Sequence, residues 1–143
     1  MTVFELRVAL TTDTFERLVA FYRDGLGLDP GPVWTDNGRG QILHAGRGVL
    51  EILDTEHAAS VDQIEVGRRV SGQIRFALQV PDVDAAVNNA LSYGARLIHE
   101  PVQTPWGDLN ARIESTDGLQ ITLFQVTASG SPRQTPNDRH DSA

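Results

Sequence analysis

Leu6-Arg7-Val8-Ala9-Leu10 and Ile74-Arg75-Phe76-Ala77-Leu78 are two versions of one five-residue phrase. Each is followed by an acidic start signal, a stretch of helical spacing and a Tyr/Gly close, at Tyr22 to Gly25 and at Tyr93-Gly94. Each half then ends in another apolar alternating run, Val49-Leu50-Glu51-Ile52-Leu53 in the first and Gln120-Ile121-Thr122-Leu123-Phe124 in the second. Local propensity does not repeat at that distance. The duplication implies two similar modules packed about a pseudo-twofold axis, with a site where equivalent strands face one another.

Within each module the period of the apolar residues assigns the elements. Phe4, Leu6, Val8 and Leu10 alternate with Glu5, Arg7, Ala9 and Thr11, as in a half-buried strand. Asp13 and Glu16 resemble a capping box, and Phe15, Leu18, Val19 and Tyr22 recur at helical spacing until Gly25 and Gly27 stop them. Val33-Trp34-Thr35 predicts a short strand, Asp36-Asn37-Gly38 a turn, and 41–45 the returning arm of a hairpin. Gly46-Arg47-Gly48 turns the chain again into the strand at 49–54. Residues 55–71 are polar and weakly periodic and read as a connector, with room for a short helix around 60–64. The second unit runs from a strand at 73–80 through a helix at about 82–93, a strand at 96–100, and a loop at 101–108 carrying Trp106. It closes with a hairpin turned at Thr116-Asp117-Gly118.

The expected architecture is therefore α+β: two βαβββ modules forming a curved, cup-like mixed sheet with helices on its outer face. Its divisions are a first module at 1–56, a connector at 57–72, a second module at 73–127 and a disordered tail at 128–143. The tail is rich in Ser, Pro and Asp and has no hydrophobic stripe.

Strand parity then selects what lines the cup. If Leu6, Val8 and Leu10 meet the helices, Glu5, Arg7 and Ala9 face inward. The same logic sends Arg75, Ala77 and Gln79 inward from the second copy, with Glu51 beside Val49 and Leu53. Gln120, Thr122 and Phe124 follow from the last strand, and Asn110, Arg112 and Glu114 from the one before it.

Several motifs in register make the chain resemble the vicinal oxygen chelate superfamily, which includes glyoxalase, bleomycin-resistance proteins and extradiol dioxygenases. They are Phe21-Tyr22-Arg23-Asp24-Gly25-Leu26-Gly27-Leu28, Val80-Pro81-Asp82-Val83-Asp84-Ala85-Ala86 and Asp117-Gly118-Leu119-Gln120-Ile121-Thr122-Leu123. The resemblance spans roughly residues 4–126. It implies four cup-facing metal-ligand positions, which fall on Arg7, Glu51, Arg75 and Thr122. Only Glu51 keeps a usual ligand. A guanidinium stays protonated and has no acceptor lone pair. At ~4 Å and an effective dielectric near 20, each Arg would oppose each unit of cationic charge by about 4 kcal/mol. The expectation is no metal and no cofactor, and so no Lewis acid for the superfamily's isomerase and dioxygenase chemistry.

Two readings of the Arg7, Glu51 and Arg75 trio stand open, with Arg112 as a further cation and Glu5 and Glu114 as counterions. One is a buried ion network tying the modules together. The other is an anion pocket in which Glu51 orients guanidiniums that grip a carboxylate, phosphate or enolate. Trp106 offers a ring for stacking on a flat ligand. The histidines at 44, 57, 99 and 140 form no ligand-spaced pair. Gly-x-Ser-x-Gly and cysteine are both absent, which removes the usual signatures of nucleophilic hydrolysis. The glycines at 38, 40, 46 and 48 fit hairpins rather than a phosphate loop.

The leading functional expectation is a metal-independent small-molecule-binding protein with an Arg-lined pocket for a planar or acidic ligand, formed from Arg7, Glu51, Arg75, Trp106, Arg112 and Thr122. The alternative is a glyoxalase- or dioxygenase-like lyase, isomerase or oxygenase using Glu51 as base or an unconventional metal site. A third is a structural protein whose cup is a relic. The resemblance further implies a homodimer. A net charge of −7 argues against a nucleic-acid partner. The lack of a long apolar run argues against a membrane span. With no cysteine and no basic, cleavable leader at MTVFELRVAL, the expected location is cytoplasmic.

Overall fold

A computed structural model describes residues 2–127; the tail expected to be disordered, His140 included, lies outside them. The chain runs β1 (Glu5–Thr12), α1 (Phe15–Ala20), β2 (Asp29–Trp34), β3 (Gly40–Ala45), β4 (Gly48–Asp54), α2 (Thr55–Glu65), β5 (Ile74–Gln79), α3 (Val83–Ser92), β6 (Arg96–Gln103), β7 (Asp108–Glu114) and β8 (Gln120–Val126). All eight strands join one mixed sheet in the order β2-β3-β4-β1-β5-β8-β7-β6. Each module therefore contributes one half of the sheet, and the two meet at an antiparallel β1–β5 seam.

The register of that seam makes the duplication geometric. Val8 lies opposite Phe76, Arg7 opposite Ala77, and Ala9 opposite Arg75. In the first half Ala9 pairs with Glu51 across the parallel β1–β4 ladder; in the second, Ala77 pairs with Thr122 across β5–β8. Arg7 is thus the counterpart of Arg75, and Glu51 of Thr122.

Two helices cover the convex face, as expected. From α1, Phe15 and Val19 pack on Leu43 and Ile52. From α3, Val83, Ala86 and Val87 pack on Ala111, Ile113 and Leu123. Asp82 caps α3 by accepting from the Ala85 amide at 3.1 Å. The first helix departs from the capping-box reading: Thr14 precedes it without a side-chain cap, and it widens into a π turn at Phe21–Gly25.

Two other expectations change. The stretch read as a connector is an 11-residue helix, α2, and it packs on the concave side of the sheet. Its Ala58 joins Ala9, Trp34, Ile42 and Leu53 in a separate core there. In addition, neither α1 nor α3 covers the outer faces of β1 and β5, so Leu6 and Ile74 are each 45% exposed on the side that was to meet the helices. Smaller differences are a longer, bulged β2 and a β6 that continues to Gln103.

The concave core is tightly closed around Trp34. A Cβ on Gly40 would run into the Trp34 indole ring, whereas one on Gly72 would meet nothing within 4 Å. Gly40→Ala should therefore destabilise the fold by about 1–3 kcal/mol through overpacking, and Gly72→Ala should leave it near wild type. Urea denaturation of the two variants compares them directly.

Candidate functional site

Alternation along the strands carries Arg7, Glu51, Arg75, Arg112 and Thr122 to the concave face. All five are buried, none more than 5% exposed. Asn110, Gln120 and Phe124 share that face and are buried as well. The structure thus brings together five of the six residues selected from sequence. The sixth, Trp106, sits in the loop between β6 and β7, where its Nε1–H donates to Asp108 Oδ2 at 3.1 Å.

A buried guanidinium holds its proton, so carboxylates must come to it. Arg7 donates from Nε to Glu5 Oε1 at 2.6 Å. Arg112, fully buried, is met by α2. Its Nη2 and Nε donate to Glu65 Oε1 at 2.8 and 3.2 Å, and its Nη1 lies 3.0 Å from Asp62 Oδ1. Arg75 reaches the same carboxylate through a relay: its Nη1 donates to Thr122 Oγ1 at 2.9 Å, and that hydroxyl donates on to Glu65 Oε1 at 2.7 Å. Asn110 Nδ2 donates to Glu65 Oε2 at 2.8 Å. One carboxylate therefore answers side chains from β5, β7 and β8.

Asp62 fixes the chain that follows the helix. Its Oδ2 accepts from the Val70 and Ser71 amides at 2.8 and 2.7 Å and from Arg69 Nη1 at 3.0 Å; its Oδ1 accepts from Ser71 Oγ at 2.6 Å. Ser71 Oγ in turn accepts from Arg112 Nη1 at 2.9 Å. Burial alone would raise the Asp62 pKa. The hydrogen bonds from Ser71 and Val70 and the charge of Arg112 outweigh it and bring the carboxyl down to about 2. Glu65 is shifted in the same direction: burial opposes ionisation, but Arg112 and Arg75, with bonds from Asn110 and Thr122, overcome it.

The histidines disperse. His57, buried in α2, accepts from Trp34 Nε1–H at its Nε2, 2.9 Å away; the proton is then assigned to Nδ1, which faces the Asn37 carbonyl oxygen at 3.0 Å. His99 contacts the Glu100 carbonyl oxygen at an exposed position. Among the described residues no three His, Cys, Asp or Glu side chains gather in a way that could hold a metal ion. The four positions where the resemblance puts ligands carry two guanidiniums, one hydroxyl and one carboxylate. That donor set does not fit a divalent cation.

Asp62 and Glu65 escaped the sequence reading because α2 looks polar throughout. Its buried face includes His57, Asp62 and Glu65 beside Ala58 and Val61, which erases the apolar stripe. The available signal was Asp54, whose carboxylate accepts from the His57 amide at 2.8 Å as an N-cap.

Two apolar grooves lie on the outer side. One, of about 860 Å³, is lined by Phe4, Leu6, Tyr22, Leu26 and Leu50 among others; the second, of about 360 Å³, by Leu78, Ala86, Tyr93 and Leu123 among others. No described helix is long and apolar enough to cross a membrane.

The ionised state of Asp62 sets a pH signature. Its folded pKa lies below the 3.8 of a free carboxyl, so its contribution is present above about pH 4 and lost as the pH falls toward 2. The loss should amount to about 2 kcal/mol. Thermal melts should record that decline, and Asp62→Asn should flatten it while lowering stability at pH 7; equal acid sensitivity in both proteins would contradict the assignment.

The model of the Glyoxalase/Bleomycin resistance protein/Dioxygenase superfamily matches residues 6–123. A comparison with curated proteins finds no match. Solved structures of similar fold include hypothetical protein BH1468 from Bacillus halodurans C-125, at 16% identity and a TM-score of 0.65 over 91% of this chain and 99% of that one. A superfamily member from Vibrio splendidus 12B01 aligns at 14% identity and a TM-score of 0.60, over 87% and 99%. Methylmalonyl-CoA epimerase from Mycobacterium tuberculosis aligns at 16% identity and a TM-score of 0.56, over 87% of each chain.

Proposed function

The chain belongs to the glyoxalase/bleomycin resistance protein/dioxygenase superfamily, and within it we propose that this member is a metal-independent small-molecule-binding protein whose cup is floored by guanidiniums and takes a planar or acidic ligand. The observation that carries the reading is the pairing of Arg7 with Arg75 at matched positions of the two modules, both buried on the concave face. A guanidinium offers a fork of N–H donors and no lone pair. It recognises carboxylates, enolates and flat polar groups, and it repels cations. Arg7, Glu51, Arg75, Arg112 and Thr122 are the polar anchors of this reading, and Trp106 its aromatic neighbour. Glu51 is also the residue on which an isomerase or lyase version would turn: with Arg7 and Arg75 as clamps on a developing oxyanion, its carboxylate would be the base. Similarity to an epimerase at this level of identity extends to fold alone.

The same reading includes a homodimer, in cytoplasm, with no nucleic-acid partner. The bare outer stripe of β1 and β5 supports the dimer. Leu6, Val8, Leu10, Ile74 and Phe76 carry no charge there, and the stripe follows the internal pseudo-twofold, so two copies can meet like to like.

A thermal-shift panel of antibiotics and of acidic or aromatic metabolites tests the binding function. A ligand at 100 times its Kd adds about 2.7 kcal/mol, a rise on the order of 5–10 °C for a chain of this size. Arg7→Gln should abolish the shift. Glu51→Gln should retain it while removing any turnover. A stoichiometric divalent metal in protein purified without chelator would overturn the reading. For assembly, sedimentation should give a dimer for the native chain and a monomer for Leu6→Asp combined with Ile74→Asp.

A further inference from the structure

A carboxylate already fills the end of the cup where two of the guanidiniums converge, and it belongs to the protein. Glu65 is 1% exposed and accepts at Oε1 from Arg112 and Thr122, and at Oε2 from Asn110. Arg75 stands behind Thr122. Two N–H donors of one guanidinium, a hydroxyl and an amide around a single carboxylate are what a protein builds to hold an acidic ligand. Here the acid arrives on α2, a helix inserted on the concave side of the sheet.

We infer that Glu65 is the specificity-determining residue of the cup: it acts as an internal carboxylate ligand, so the compound admitted beside Arg75 and Arg112 is uncharged and planar rather than anionic. This rests on the reading of the cup as a binding site and narrows it. Asp62 adds a second negative charge 3.0 Å from Arg112. Glu65 and Asp62 thus match the two buried cations charge for charge, while Arg69, 40% exposed, meets Asp62 from the solvent side where water screens it. An incoming anion would have to displace Glu65 or stack a third negative charge against the pair, whereas a neutral amide or heteroaromatic ring meets no such repulsion.

The consequence is a reversible preference. Benzamide and benzoate are near-isosteres that differ in charge. The native chain should bind benzamide more tightly than benzoate, read by calorimetry at fixed ionic strength. Glu65→Gln keeps the shape of the side chain and removes its charge, so it should reverse the order, with a gain in benzoate affinity of at least ~10-fold. Glu65→Ala leaves the cradle itself open, so acetate should raise its melting temperature by several degrees more than chloride at equal ionic strength, and should leave the native chain unmoved. Native protein that binds benzoate as well as benzamide overturns the inference, and so does Glu65→Ala that ignores acetate. If the native chain binds neither aromatic probe while acetate still rescues Glu65→Ala, the internal ligand stands and the binding function of the native cup falls. The two failures are thereby separated. If Glu65→Ala does not fold, Glu65→Gln carries the same comparison through its benzoate affinity.

Discussion

A guanidinium cannot escape burial by giving up its proton. Once Arg7, Arg75 and Arg112 are committed to the concave face of one sheet, carboxylates have to follow them out of water, and the rest of the molecule is arranged around that demand. Glu5 comes from the same strand as Arg7, at the smallest conformational cost. To Arg112, and to Arg75 through Thr122, α2 brings acids from outside their strands: Glu65 and, for Arg112, Asp62. The depressed carboxyl pKa values are the thermodynamic trace of that arrangement.

This arrangement changes what a cup of this superfamily contains. Two of the four positions where the resemblance puts metal ligands carry guanidiniums, which repel cations, and α2 packs on the same face of the sheet. One half of the face is an ion network centred on Glu65, which engages Arg112, Thr122 and Asn110 directly and Arg75 through Thr122; Arg7, bonded to Glu5, and Glu51 lie one strand or more away toward the first module.

Much of the fold was legible because the β1 and β5 phrases alternate cleanly, and parity alone placed Arg7, Arg75, Arg112, Glu51 and Thr122 on one side. The register confirms that placement strand by strand. What parity could not convey was the occupant of that side. A helix that buries His57, Asp62 and Glu65 has no apolar stripe to announce it, since its packing partners are charges on strands far away in the chain. Nor does an apolar set name its cover: Leu6 and Ile74 face the helical side but lie in the gap between α1 and α3. The turn at Asn37-Gly38 was legible for the opposite reason, because both residues take the positive φ that a tight hairpin requires.

The path of α2 has a consequence for how the duplicated halves hold together. Its first turn is anchored in the first repeat, where Asp54 caps it and Trp34 donates to His57. Its last turn is anchored in the second, where Glu65 meets Arg112, Thr122 and Asn110. Melting either repeat would pull this rivet free and strand unpaired charge inside the survivor. The two repeats are thereby tied to each other through a single helix bonded at both ends.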